Sequence, residues 1–176
     1  SSAASDVYKR QIADGEKTVE LCRADELKII GKHNVENALA AAAIAYFAGI
    51  EPEIIGTTLR NFAGVAHRIE YCGMADGVKF YNDSKGTNID ATVTALNAIG
   101  KDIILIAGGD GKGQDFSQLI ESFDGRVKHM VLIGKDGPKI AEAADNAGFK
   151  DYSYGANMQE CVKKAVETVS YTHLRA

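Results

Sequence analysis

Two nearly continuous apolar runs, "DIILIAG" at 102–108 and "HMVLIG" at 129–134, restrict the fold of this chain more than any other feature. Each has the length of a strand, and neither alternates with polar residues, so both faces of each must be covered. Helical segments flank and separate them. "IDATVTALNAI" precedes the first run, a helix beginning near Phe116 follows it, and "GPKIAEAADNAG" follows the second. "DYSYG" then offers another strand and "MQECVKKAVET" a last helix. Strands alternating with helices predict parallel βαβ units with right-handed crossovers, hence an α/β fold with a mostly parallel sheet.

Upstream the pattern differs. "KTVELCRADELKII" predicts one or two short strands, and "GKHNVENALAAAAIAYFAG" a buried helix with Asn34 as N-cap and Gly49 at its close. "PEIIGTTLRNF" predicts a second helix, with Pro52 at its first position and Ile54, Ile55, Leu59 and Phe62 as its apolar stripe. "RIEYCGM" and "GVKFYND", separated by "ADG", predict a hairpin. A domain boundary is expected near residues 63–67. The ends, "SSAASDVYKRQ" and "VSYTHLRA", resemble translated adapter sequence; residues 1–11 and 170–176 are therefore expected to be extraneous, leaving 12–64 and 65–169 as the two structural parts.

Two polar loops stand where ligands collect in such sheets, outside the carboxyl ends of strands. "NDSKGTN" at 82–88 follows "GVKFY", and "GGDGKGQDF" at 108–116 follows "DIILIA", so the two are expected to converge. The glycine loop is neither of the common nucleotide motifs. A P-loop requires Gly where Ile106 stands and Ser or Thr where Gly113 stands, and the dinucleotide fingerprint requires Gly where Gln114 stands. "NDSKGTN" can be read as a turn and cap, with Ser84 or Thr87 capping the next helix. Lys85 weighs against a cap alone, because a cation beside a helix N-terminus is unfavourable unless an anion lies between them.

The net charge of −4 argues against a general polyanion binder, so no nucleic-acid partner is expected. Cys22, Cys72 and Cys161 form no CxxC pair, which fits a reducing cytoplasm and indicates neither a disulfide framework nor a zinc knuckle. Asp110 and Asp115 lack a third ligand, and no metal site is expected. The apolar run "ALAAAAIAYFAG" falls short of the ~20 residues of a bilayer span, so no membrane insertion is expected.

Taken in order, "GKHNVENALAA", "GVAHRIEY", "GVKFYNDSKGTNIDATVTAL" and "GGDGKGQDF" resemble the Mur ligases over residues 12–168, and "NDSK" followed by "GTN" resembles the form associated with members that add D-glutamate. The resemblance implies that 12–64 end a central ATP-binding domain and that 65–169 form most of a Rossmann-like C-terminal ligase domain. It also implies a fragment, inactive alone, of a cytoplasmic bacterial enzyme, expected to be a monomer. Such an enzyme uses ATP and Mg2+, whose ligands would lie mainly upstream, to join D-glutamate to UDP-N-acetylmuramoyl-L-alanine through an acyl phosphate. By the same resemblance, Asn34, Asn37, Arg68 and Asp83 would contact nucleotide, Lys85 would be catalytic beside the transferred phosphate, and Ser84, Thr87 and Lys112 would hold D-glutamate. Alternatives are a sibling ligase, a folylpolyglutamate synthase, or a dinucleotide-binding oxidoreductase module, the last disfavoured by the failed glycine fingerprint. Arg68 paired with Glu70 on a strand surface is the plainer alternative for that arginine.

Overall fold

The computed structural model describes residues 9–14, 17–111 and 113–173, and the chain divides into two units, Ser1–Ala66 and His67–Ala176.

In the first unit, β1 (Lys9–Asp14) pairs antiparallel with β2 (Lys17–Arg23). Strand β1 takes in Lys9, Arg10 and Gln11, which the sequence reading set aside as extraneous; Lys9 lies opposite Arg23. Helices α1 (Lys32–Phe47) and α2 (Pro52–Asn61) follow, and Leu21, Ala42 and Ile55 form the buried centre between them. Close approach of α2 to β2 requires Gly56, where an added Cβ would stand 2.3 Å from the Leu21 carbonyl oxygen. Helix α1 ends as expected at Gly49, with φ +86°: the amides of Gly49 and Ile50 turn back to the carbonyls of Tyr46 and Ala45.

Three expectations here are corrected. Gly31, not Asn34, is the N-cap of α1; Asn34 lies inside the first turn, where its Nδ2 donates to the Ile30 carbonyl at 2.8 Å. Helix α1 is not buried throughout, since only Ala38 and Ala42 are buried while Ile44 and Phe47 are each 73% exposed. The stripe of α2 is narrower than its spacing suggests, because Ile55 is buried but Ile54 and Phe62 are exposed. One side of a two-helix layer packs on a single hairpin, which is too small to cover more of either helix.

In the second unit, β3 (Glu70–Ala75) and β4 (Val78–Asn82) form the expected hairpin. Asp76 and Gly77, both at positive φ, supply its two-residue turn, whose twist matches the strands. Helix α3 (Ile89–Ile99) leads to β5 (Ile103–Gly108), followed by α4 (Ser117–Glu121), β6 (Val127–Ile133), α5 (Gly137–Asn146), β7 (Tyr152–Tyr154) and α6 (Met158–His173). Strands β5, β6 and β7 form one parallel sheet in that order. Helix α6 runs on to His173, past the expected end of this part at 169.

The continuous apolar runs are explained by the two layers on this sheet. Met130 and Leu132 of β6 join Leu96, Leu119, Ile120, Phe123, Ile140 and Ala144, so α3, α4 and α5 share one face. Val131 points the other way, to Cys161 and Ala165 of α6, with Ile104, Ile106 and Ile133 beside it. Met130, Val131 and Leu132 are wholly buried, and full burial of such side chains stabilises by about 1.5–3 kcal/mol each.

The hairpin is not part of this sheet, which corrects the placement of "NDSKGTN" at a parallel sheet's edge. Joined by the tight turn at Asp76 and Gly77, β4 pairs antiparallel with β3 and, among the described strands, with no other. The cap of α3 also differs from expectation. Asn88, in extended backbone, is the N-cap, and its Oδ1 accepts from the Ala91 amide at 2.8 Å; neither Ser84 nor Thr87 does this. Asn88→Ala is expected to lower the stability of the second unit by about 1 kcal/mol, read from its urea midpoint.

Candidate functional site

The loop after β4 is folded against the residues that enter β3. His67 and Ile69 flank Arg68 at φ +65° and +45°, a region that a β-branched residue rarely adopts. Four groups hold this corner. Glu70 Oε2 accepts from the His67 amide at 2.8 Å, and Asn82 Nδ2 lies 2.9 Å from His67 Nδ1. Asp83 Oδ1 accepts from the Ile69 amide at 3.0 Å, and the Lys85 amide donates to the His67 carbonyl at 3.0 Å. Gly86 is needed beneath, since an added Cβ would stand 2.6 Å from Asp83 Oδ2. The corner thus presents Arg68 and Lys85 on adjoining segments, both exposed and without an ion pair among the described residues. The expected alternative, Arg68 paired with Glu70, is not made, because Glu70 turns to His67 instead.

The second loop leaves the parallel sheet at Gly108. Its course is set by backbone packed on backbone: the Gly109 amide donates to the Ile133 carbonyl at 3.1 Å, and the Asp136 amide donates to the Gly109 carbonyl at 3.1 Å. Asp136 is 2% exposed; its Oδ2 accepts from the Gly111 amide, and its Oδ1, which has no hydrogen bond of good geometry, faces Lys139 Nζ at 2.9 Å. Asp115 Oδ1 accepts from the Ser117 amide at 3.0 Å, and Asp110 pairs with Lys135 at 3.3 Å.

The two loops meet through Gln114, which sequence reading noticed only as a failed glycine. Its Oε1 accepts from the Ile89 amide at 3.2 Å and its Nε2 donates to the Thr87 carbonyl at 3.3 Å. The expected convergence is therefore observed, through a side chain and not through strands of one sheet. Asp136 was missed as well, since it stands between the expected strand and helix in no motif; its only sequence signal is its place just past the carboxyl end of β6.

Of the candidate residues, Asn34 and Asn37 lie on α1 of the first unit, Asn37 exposed and Asn34 engaged with Ile30. Arg68, Asp83 and Lys85 are brought together at the corner. Ser84 is exposed, with its amide donating to Asn82 Oδ1 at 3.0 Å, and Thr87 is exposed beside Gln114. Lys112 lies outside the described residues. Among the described residues no group of three His, Cys, Asp or Glu could hold a metal ion, and no helix is long and apolar enough to cross a membrane.

The Lys139 ammonium first, and then the Gly111 amide, hold the Asp136 carboxyl below its ordinary value. A depressed folded value means stability that is present above the unfolded value of 3.8 and lost as pH falls through the folded one. The urea midpoint of the second unit is accordingly expected to fall on acidification through that range, and Asp136→Asn to flatten that part of the profile. An identical acid limb in the variant would remove Asp136 as a contributor.

The description "Mur ligase, glutamate ligase domain" matches residues 67–174. A UDP-N-acetylmuramoylalanine–D-glutamate ligase of Thermoanaerobacter sp. (strain X514) is 43% identical over 92% of this chain and 36% of its own length. The ligase of that name from Pelotomaculum thermopropionicum is 47% identical over 81% of this chain and 31% of its own. The chain thus spans about a third of the length of the curated relatives it matches. Among solved structures, MurF from Acinetobacter baumannii superposes with TM-score 0.64 at 22% identity, covering 93% of this chain and 36% of that one. Folylpolyglutamate synthase from Thermotoga maritima does so with TM-score 0.64 at 18% identity, covering 85% and 37%. These two likenesses show the fold, the Rossmann-like parallel α/β arrangement of the ligases' C-terminal domains. The family match, which spans the unit that carries both loops and more than half of the chain, establishes that this chain belongs to the Mur ligase family.

Proposed function

We propose that this chain is part of an ATP-dependent acid–D-amino-acid ligase that joins D-glutamate to UDP-N-acetylmuramoyl-L-alanine in peptidoglycan synthesis, in the bacterial cytoplasm. Residues 12–64 are assigned to the end of its central ATP-binding domain and 65–169 to its ligase domain. The observation that carries the reading is the corner bearing exposed Arg68 and Lys85, neither in an ion pair among the described residues, linked through Gln114 to a glycine-rich loop. Similarity to D-glutamate ligases along the same residues supports it.

In this reaction the substrate carboxylate is activated as an acyl phosphate, the amine of D-glutamate attacks its carbonyl carbon, and phosphate leaves. ATP would supply the phosphoryl group and Mg2+ would offset its charge, with the metal ligands proposed to lie mainly upstream. Anions crowd every step, so cations fixed in advance lower the barrier. Two exposed cations, without carboxylate partners among the described residues, fit such a phosphate. Lys85 is proposed to face the transferred phosphate, Arg68 and Asp83 to contact the nucleotide, and Asn34 and Asn37 to do so from the first unit. Ser84, Thr87 and Lys112 are proposed to hold D-glutamate. The chain alone is proposed to be inactive.

The test is amino-acid-dependent ATP hydrolysis by the full-length enzyme. D-glutamate is expected to stimulate it with UDP-N-acetylmuramoyl-L-alanine present, whereas meso-diaminopimelate and L-alanine are not, and neither is L-glutamate with folate in place of the UDP sugar. Stimulation by either of the other amino acids in place of D-glutamate would reassign the chain to a sibling ligase, and stimulation by L-glutamate with folate to a folylpolyglutamate synthase.

A further inference from the structure

Gln114 and Asp136 are absent from every role assigned above, yet they connect the parts that have roles. Gln114 grips the start of α3 at two points, accepting from the Ile89 amide and donating to the Thr87 carbonyl. The Ile89 amide is one of those at a helix start for which the helix itself supplies no partner. Gln114 is anchored in turn, since its own amide donates to the Gly111 carbonyl at 3.0 Å. The Gly111 amide donates to buried Asp136, whose second oxygen faces Lys139. A side chain at Gly111 would require its neighbours to shift: an added Cβ would stand 2.7 Å from the Phe116 ring and 3.2 Å from Asp136 Oδ2. A line of hydrogen bonds therefore runs from the turn after β6 to the start of α3, holding the backbone on either side of position 112.

We propose that Gln114 and Asp136 are positioning residues which lock the backbone at Gly111 and Gln114 against the start of α3 and so fix the spacing of the two loops assigned to the amino-acid substrate. The proposal rests on the D-glutamate reading above. A ligand that bridges two loops binds weakly when their separation fluctuates, because binding must then order them; a preset spacing removes that cost. In this proposal neither residue contacts substrate: Gln114 acts through Thr87 and Asp136 through Gly111.

The test uses the isotope-labelled 176-residue chain, with amide hydrogen exchange and titration with D-glutamate, L-glutamate serving as the control, both followed by NMR. Gln114→Ala is expected to speed exchange at Ile89 by about tenfold, the loss of one hydrogen bond, while Val131 and Leu132 keep their protection. Gln114→Glu, which retains an acceptor for Ile89 and loses the donor to Thr87, is expected to restore that protection. The apparent Kd for D-glutamate is expected to rise about tenfold in Gln114→Ala and in Asp136→Asn. Should Asp136→Asn unfold, the Gln114 variants alone decide. Unchanged Ile89 exchange in Gln114→Ala, or an unchanged Kd despite faster exchange, overturns the proposal. No D-glutamate response in the wild-type chain, with the Ile89 effect present, instead overturns the ligand assignment under the proposed function and leaves the lock between the loops supported.

Discussion

Replacing Lys85 by alanine in the full-length ligase is expected to lower D-glutamate-dependent ATP hydrolysis by about 10²–10³-fold, the scale of losing one fixed group that stabilises transition-state charge. The fold should be unaffected. It is the backbone amide of Lys85 that ties the corner to His67, and alanine retains that bond; the ammonium group itself is exposed and makes no ion pair among the described residues. Exposed substitutions of this kind move stability by no more than about 0.5 kcal/mol. Lys85→Arg keeps the charge but spreads it over a planar fork, so partial activity is expected, between wild type and alanine. Steady-state rates and urea unfolding of the same preparations check both halves. A rate within about threefold of wild type in Lys85→Ala, with folding intact, would remove the lysine from the chemistry.

Gly108→Ala is expected to have the largest effect on stability, lowering it by about 3–5 kcal/mol from a backbone conformation that alanine rarely adopts and from overpacking. Gly108 ends β5 at φ +151°, and an added Cβ would stand 1.7 Å from the Ile133 carbonyl oxygen. No rotamer relieves that clash, since the offending atom is the first of the side chain and its neighbour is backbone. The same carbonyl accepts from the Gly109 amide, so the ends of β5 and β6 would have to separate and carry the glycine loop with them. A loss of that size is a large share of the ~5–15 kcal/mol that holds a typical domain together. Urea unfolding of the chain measures it, and a change below about 1 kcal/mol would mean that the two strand ends part without cost. Gly109→Ala gives a comparison, because an added Cβ there meets nothing within 4 Å although its φ of +112° is also unfavourable.

How much was legible from sequence depended on whether a segment carried its own pattern. Helix α3 was foreseen with its observed bounds, Ile89–Ile99, and β5, β6 and α5 to within two residues at each end, because apolar runs and amphipathic spacing are local signals. The turn at Asp76 and Gly77 was foreseen because only a few residue types tolerate that backbone. Caps were less legible. Asn34 and Asn88 are the same residue type near helix starts, yet only Asn88 caps; what separates them is backbone geometry one turn away, where Gly31 begins α1 early. Burial of α1 was misjudged because an alanine-rich helix looks apolar on all sides, whereas burial depends on what neighbours exist to cover it. In the candidate site, the nearness of Arg68 to Lys85 carried no signal of its own, but the convergence of the two loops was legible, since charges and glycines stand out. Asp136 and Gln114 were not, for each earns notice only through partners 25 residues or more away in sequence.

Strand order in the parallel sheet follows chain order, β5 then β6 then β7, with one helix in each crossover. Each strand therefore pairs with the one made just before it, and no strand waits for a distant segment to complete its edge. The entropy of closing a loop grows only slowly with its length, so two short crossovers add little to the barrier, and the contacts that reward them are near in sequence. This sheet can accordingly assemble stepwise from β5 onward as the chain leaves the ribosome, one strand and one helix at a time.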